Sequence, residues 1–217
     1  MELTASDRKY ILDREEAEKC WLSPADTLDL AYFARDEKAR VLLNNLSSKG
    51  LIPFQKSGDK KTSPRLYSLE SAVKFAIYWN YSQGSSDFEM AALVSEKAVE
   101  LLHLLISIEH QHDMESNEDR WVIACGRDFN GAKKVKLLQT FYSMHLADQK
   151  EVNPGSIEHE NNRCLAIPLY DLKKLSWIRS EVFYPYYLIE RIIERYANKM
   201  AYYYYQDGLE ERLNRSM

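Results

Sequence analysis

Between residues 23 and 50 the chain carries two helix starts and one helix stop, and few other structures can be built there. Ser23 is a good N-cap. Pro24 fits the first helical position, where its missing N–H is no loss, and Asp26 stands where a carboxylate reaches back to free backbone N–H groups. The inward face of this first helix is expected to use Leu28, Ala31 and Tyr32. Asp36 offers a second N-cap almost at once. Ala39, Leu42, Leu43 and Leu46 then come at helical spacing, and Gly50 supplies the left-handed residue beyond the end, with Leu51 after it. Two short helices joined by so tight a turn predict a helix-turn-helix unit.

The next stretch of chain predicts a wing. Gln55 to Pro64 is polar and basic, broken by Gly58 and Pro64, and it returns into the strand-like Arg65-Leu66-Tyr67. Ser68 then caps a helix reaching about Tyr81 through Ala72, Val73, Phe75, Ala76 and Trp79. Charge concentrates in the same place. The formal net charge of the chain is −4. Residues 35–66 nevertheless carry Arg35, Lys38, Arg40, Lys49, Lys56, Lys60, Lys61 and Arg65 against only Asp36, Glu37 and Asp59. A local basic field is the footprint of a polyanion-binding module, although a solvated surface is built from the same residues.

The run from Thr27 to about Trp79 resembles the DNA-binding domain of MerR-type regulators and their excisionase-like relatives. Thr27-Leu28-Asp29-Leu30-Ala31, Lys49-Gly50-Leu51-Ile52-Pro53 and Arg65-Leu66-Tyr67-Ser68-Leu69-Glu70 carry the similarity. In place of the Arg-Tyr-Tyr run common in that family, the second helix has Asn44-Asn45-Leu46. The C-terminal part also differs from the family's single long dimerisation helix. The resemblance implies a winged helix-turn-helix whose second helix enters the major groove of double-stranded DNA.

The rest of the chain reads as α+β, so the fold class expected is mainly α with small β content. A charged helix is expected at about residues 6–20. The turn residues Gln83-Gly84-Ser85-Ser86 mark a boundary between residues 1–84, the winged module, and residues 85–217, a dimerisation or signal-receiving domain. Apolar positions from Phe88 to Ile106 predict a long amphipathic helix. Trp121 to Cys125 and Cys164 to Ile167 read as strands, Ala132 to Ala147 as a helix with Val135, Leu138, Phe141 and Tyr142 inward, and Asp148 to Asn162 as a loop. A last helix is expected from about Pro185.

With the second helix burying its apolar stripe, Lys38, Arg40, Val41, Asn44, Asn45 and Ser48 are left to face the groove. Asn matches adenine bidentately, Arg matches guanine, and Ser donates or accepts. Lys56, Lys60, Lys61 and Arg65 serve the wing, with Tyr67 bonding phosphate; such contacts position the protein without reading sequence. Two half-sites require two copies, so a homodimer is expected. The tyrosine-rich last helix supplies its interface through Tyr196, Met200, Tyr203 and Tyr204.

Chemistry other than binding finds little support. His103, His110 and His112 lack the second closely spaced pair of a typical zinc site, so no metal and no cofactor are expected. Neither a Gly-x-Ser-x-Gly elbow nor a Walker or Rossmann loop occurs, and no catalytic residue is assigned: the chain is read as not an enzyme. Three widely separated cysteines read as reduced thiols. With no visible signal peptide or membrane-length apolar run, the expected location is cytoplasmic. The expected function is sequence-specific DNA binding in transcription control of bacterial or phage type. The alternatives are an excisionase-like architectural factor and a protein-interaction module using the helix-turn-helix as a scaffold. Residues 85–217 are left open to an effector or protein partner.

Overall fold

In the computed structural model, residue 12 and residues 14–84, 87–107, 120–143, 164–166 and 177–215 are described. The architecture is mainly helical with two small antiparallel sheets. In order it runs α1 (Arg14–Glu18), α2 (Pro24–Leu30), α3 (Glu37–Ser48), β1 (Gln55–Lys56), β2 (Arg65–Leu66), α4 (Leu69–Gly84), α5 (Phe88–Ile106), β3 (Arg120–Asp128), β4 (Lys133–Ser143), β5 (Cys164–Ala166), β6 (Trp177–Phe183) and α6 (Tyr186–Arg215). Two compact units result. One comprises residues 1–108 together with 187–217, and the other residues 109–186.

The first unit begins with three helices and a β-hairpin, a generic winged-helix topology. Its helix ends are set by local chemistry. Ser23 and Asp26 form a complete capping box on α2, and the Asp36 carboxylate accepts from the N–H groups of Lys38 and Ala39 on α3. Both helices also end alike. Beyond α3, the N–H of Leu51 donates to the Leu46 carbonyl and that of Gly50 to Ser47, with Gly50 at φ 75°. Beyond α2, Phe33 donates to Leu28 and Tyr32 to Asp29, and here a tyrosine holds the left-handed position at φ 67°. That conformation turns Tyr32 outward, so it is exposed rather than buried beside Leu28 and Ala31 as the helical spacing predicts.

Ala39, Leu43 and Leu46 of α3 are buried with Leu28, Leu30 and Ala31 of the α2 segment, while Leu42 is half-buried. Phe33 in the turn packs edge-on to Phe75 and tilted against Trp79, which ties the turn to α4. The hairpin is extended by Leu22, whose N–H donates to the Tyr67 carbonyl and whose carbonyl accepts from the Tyr67 N–H. Helices α4 and α5 then pack on one another. The boundary expected between residues 84 and 85 therefore falls inside one unit: both helices carry buried apolar stripes that need each other. Helix α6, expected in the second domain, returns to the first unit.

In the second unit the strands lie in the order β5-β4-β3-β6, all antiparallel. Central β3 is buried on both faces from Val122 to Cys125. The segment expected to be a helix from Ala132 is instead strand β4, paired with β3 from Lys133 to Thr140. Its accessibility alternates, with Val135 and Leu137 more covered than Lys134 and Lys136, the period of a strand. The turn explains the pairing. Gly131 sits at φ 79°, and the Asp128 carboxylate accepts from the N–H groups of Asn130 and Ala132. Strand β6 has no counterpart among the elements expected from the sequence. His110, His112, the loop at 148–162 and the N-terminal part of the first expected helix lie outside the described residues.

Candidate nucleic-acid interface

Lys38, Arg40, Val41, Asn44, Asn45 and Ser48 all emerge exposed on α3, because the opposite stripe is committed to the core. Beside them stands the hairpin, with Lys56 exposed in β1 and Lys60 and Lys61 exposed in its loop. The loop is closed by the Ser57 N–H donating to the Pro64 carbonyl and the Ser63 N–H to the Lys60 carbonyl. The six helix residues and three lysines all lie on local elements of one unit, α3 and the hairpin, which Arg65 joins.

Two of the predicted residues have other roles. Tyr67 is fully buried, its hydroxyl 3.1 Å from the Ser47 hydroxyl, so it fixes α3 to the hairpin and is out of reach of phosphate. Arg65 is engaged from two sides. Its guanidinium donates to the Asn44 carbonyl at 3.1 Å and to the Ser48 hydroxyl at 3.0 Å, and it lies over the Phe54 ring at 4.6 Å. Arg65 thus holds the hairpin against the outer edge of α3. Arg40 is also partnered, donating twice to the Glu37 carboxylate, but both side chains are well exposed. An exposed pair of that kind is worth well under about 1 kcal/mol and opens readily to a competing anion.

The rear of the helix-turn-helix is clamped by α6. Arg195 donates to Asp29 at 2.9 Å and stacks over the Tyr32 ring at 4.4 Å, and Lys199 pairs with Asp26. Burial alone would raise the Asp26 carboxyl, but hydrogen bonds from Lys199 and Ser23 outweigh it and hold the group below the ordinary carboxylate range. Tyr196 is fully buried: its hydroxyl accepts from the Trp21 indole at 2.7 Å and donates to the Glu16 carbonyl at 3.2 Å. Met200 is buried as well. The sequence places both residues at a dimer interface, whereas the structure uses both up inside their own unit. Tyr203 meets Trp21 edge-on yet stays exposed, as does Tyr202; the side chain of Tyr204 lies outside the described residues.

One group of metal-capable donors forms among the described residues, from Glu18, Glu70 and His103. No described helix is long and apolar enough to cross a membrane. The sequence matches no protein-family model and none of the curated proteins.

Proposed function

We propose that this protein binds double-stranded DNA sequence-specifically, inserting α3 into the major groove and laying the β1–β2 hairpin along the backbone. The observation that carries the reading is the outer surface of α3, where two asparagines, an arginine and an apolar Val41 stand exposed beside three exposed lysines of the hairpin. Asn44 and Asn45 suit adenine, Arg40 suits guanine, and Val41 suits a thymine methyl group. Lys56, Lys60 and Lys61 suit phosphates. Ser48 reads less freely than its exposure implies, since its hydroxyl is shared between the Asn44 carbonyl and Arg65.

Regulation of transcription by a dimer on two half-sites is the role that fits this reading best, and a MerR- or excisionase-like ancestry is part of the proposal. With Tyr196 and Met200 committed internally, the pairing surface passes to the exposed rings of Tyr187, Tyr202 and Tyr203. A second reading, recognition of a protein partner, is favoured by the acidic groups on the same surface, Glu37 beside Arg40 and Asp59 in the hairpin loop. Selection of bound fragments from random duplexes, with affinity measured against salt, separates the two. A selected motif and a steep fall in affinity with salt support DNA recognition; salt-insensitive or absent binding supports the partner protein.

A further inference from the structure

We propose that Glu18, Glu70 and His103 form a site for a divalent transition-metal cation of the zinc class. The three residues come from the end of α1, the start of α4 and the last turn of α5, and one donor atom of each lies within 4.8 Å of the others. His103 Nε2 is 2.6 Å from a Glu70 carboxylate oxygen. The other ring nitrogen, Nδ1, is buried and has no hydrogen-bond partner among the described residues. The two nitrogens of an imidazole diverge, so an ion held through Nε2 leaves Nδ1 to an ordered water, the usual partner of such a buried group. The Glu70 and His103 side chains are about four-fifths covered, whereas Glu18 opens to solvent and provides the way in.

The donors select the metal. One imidazole with two carboxylates suits zinc and its neighbours; calcium and magnesium prefer shells of oxygen alone. Zinc bonds to nitrogen and oxygen run about 2.0–2.2 Å, which across a tetrahedral angle sets the donors about 3.4 Å apart. Glu70 and His103 must therefore separate by somewhat under about 1 Å to admit the ion. Glu18 has to leave its surface contact with Arg14 and close on the other two donors. Three protein donors leave a fourth position for water. A bound ion would cross-link α1 to the α4–α5 pair. This inference does not depend on DNA binding.

The test is calorimetric titration of the full chain with zinc chloride after chelator treatment, alongside thermal unfolding at rising zinc concentration. One saturable site at micromolar zinc or below is expected, with an unfolding midpoint that climbs as zinc is added. His103→Gln and Glu70→Gln keep the hydrogen-bonding shape and are expected to weaken binding by about 100-fold or more, beyond the loss typical when only a group supporting a ligand is changed. Exposed Glu18→Gln, which leaves the core untouched, is expected to weaken it by at least about 10-fold. Absence of saturable binding overturns the proposal. So does unchanged affinity in Glu18→Gln and His103→Gln, which would place the metal elsewhere, and so does tighter binding of calcium or magnesium than of zinc.

Discussion

The two attachments that hold the helix-turn-helix differ in kind. In front, the hairpin is joined to it by contacts that fall between Leu22 and Tyr67 in the chain, through backbone bonds to Leu22, the buried Tyr67 hydroxyl and the Arg65 guanidinium. Behind, α6 reaches it from the far end of the sequence, and Trp21–Tyr196, Asp29–Arg195 and Asp26–Lys199 make the join. The front join leaves a row of polar side chains exposed. The rear join consumes its polar groups: every one named is paired. Similar residue types therefore contribute to a surface in one place and to stability in the other, and the difference lies in whether a distant element arrives to cover them.

The sharpest way to break this contrast is Tyr196→Ala. Removing a fully buried ring and its two hydrogen bonds is expected to destabilise the protein by roughly 3–5 kcal/mol, read from urea unfolding. A loss below about 1 kcal/mol would mean that α6 does not clamp the rear. The matched change Tyr202→Ala, at an exposed ring, should move stability by no more than about 0.5 kcal/mol while weakening any self-association seen in sedimentation.

On the front surface, Asn44→Ala and Arg40→Ala should leave unfolding nearly unchanged. They are expected to cost about 1–3 kcal/mol of discrimination at the bases they read, measured by competition between duplexes. Equal preference before and after the change would remove α3 from the groove. A smaller effect, with a definite sign, comes from Asp26. Its carboxyl titrates lower in the folded protein than in the unfolded chain, so its contribution is fully present above the unfolded value near pH 4 and is lost as pH falls through the folded value. Asp26→Asn should therefore lower stability by about 1 kcal/mol at neutral pH and flatten the acid limb of the stability curve. An unaltered acid limb would show that Lys199 and Ser23 do not lower the Asp26 carboxyl in solution. Smallest per residue are Lys60→Ala and Lys61→Ala, each expected to reduce the salt slope of DNA binding by about 0.9 with no change in sequence preference.

The same contrast explains what can be read from the sequence. Caps at Ser23 and Asp36, the stop at Gly50 and the exposed face of α3 are all local, and the residues concerned are close neighbours in the chain. The end of α2 is less legible because Tyr32 occupies a position where glycine is the usual sign. In β4, Val135, Leu138 and Tyr142 fit a helical spacing, and Asn130-Gly131, a strong hairpin signal, is the residue pair that decides for strand. Tyr67 reads as a phosphate-binding surface group and Tyr196 as part of an interface between copies, because a tyrosine's polar tip does not say which partner it meets until that partner, Ser47 or Trp21, is known. The cluster of Glu18, Glu70 and His103 is invisible in the sequence for the same reason, since no spacing rule joins positions so far apart.

The placement of α6 also bears on the order of events during synthesis. Residues 109–186 lie between α5 and the helix that completes the first unit. On the ribosome the helix-turn-helix and its hairpin emerge early, with Trp21 and the flank of α2 uncovered. They wait through the whole of the intervening unit before Tyr196 arrives. At about 5–20 residues per second that interval is several seconds, long compared with the folding of a small helical module. A nascent chain arrested just short of α6 should therefore expose Trp21 to a soluble quencher, and release of the last helix should protect it.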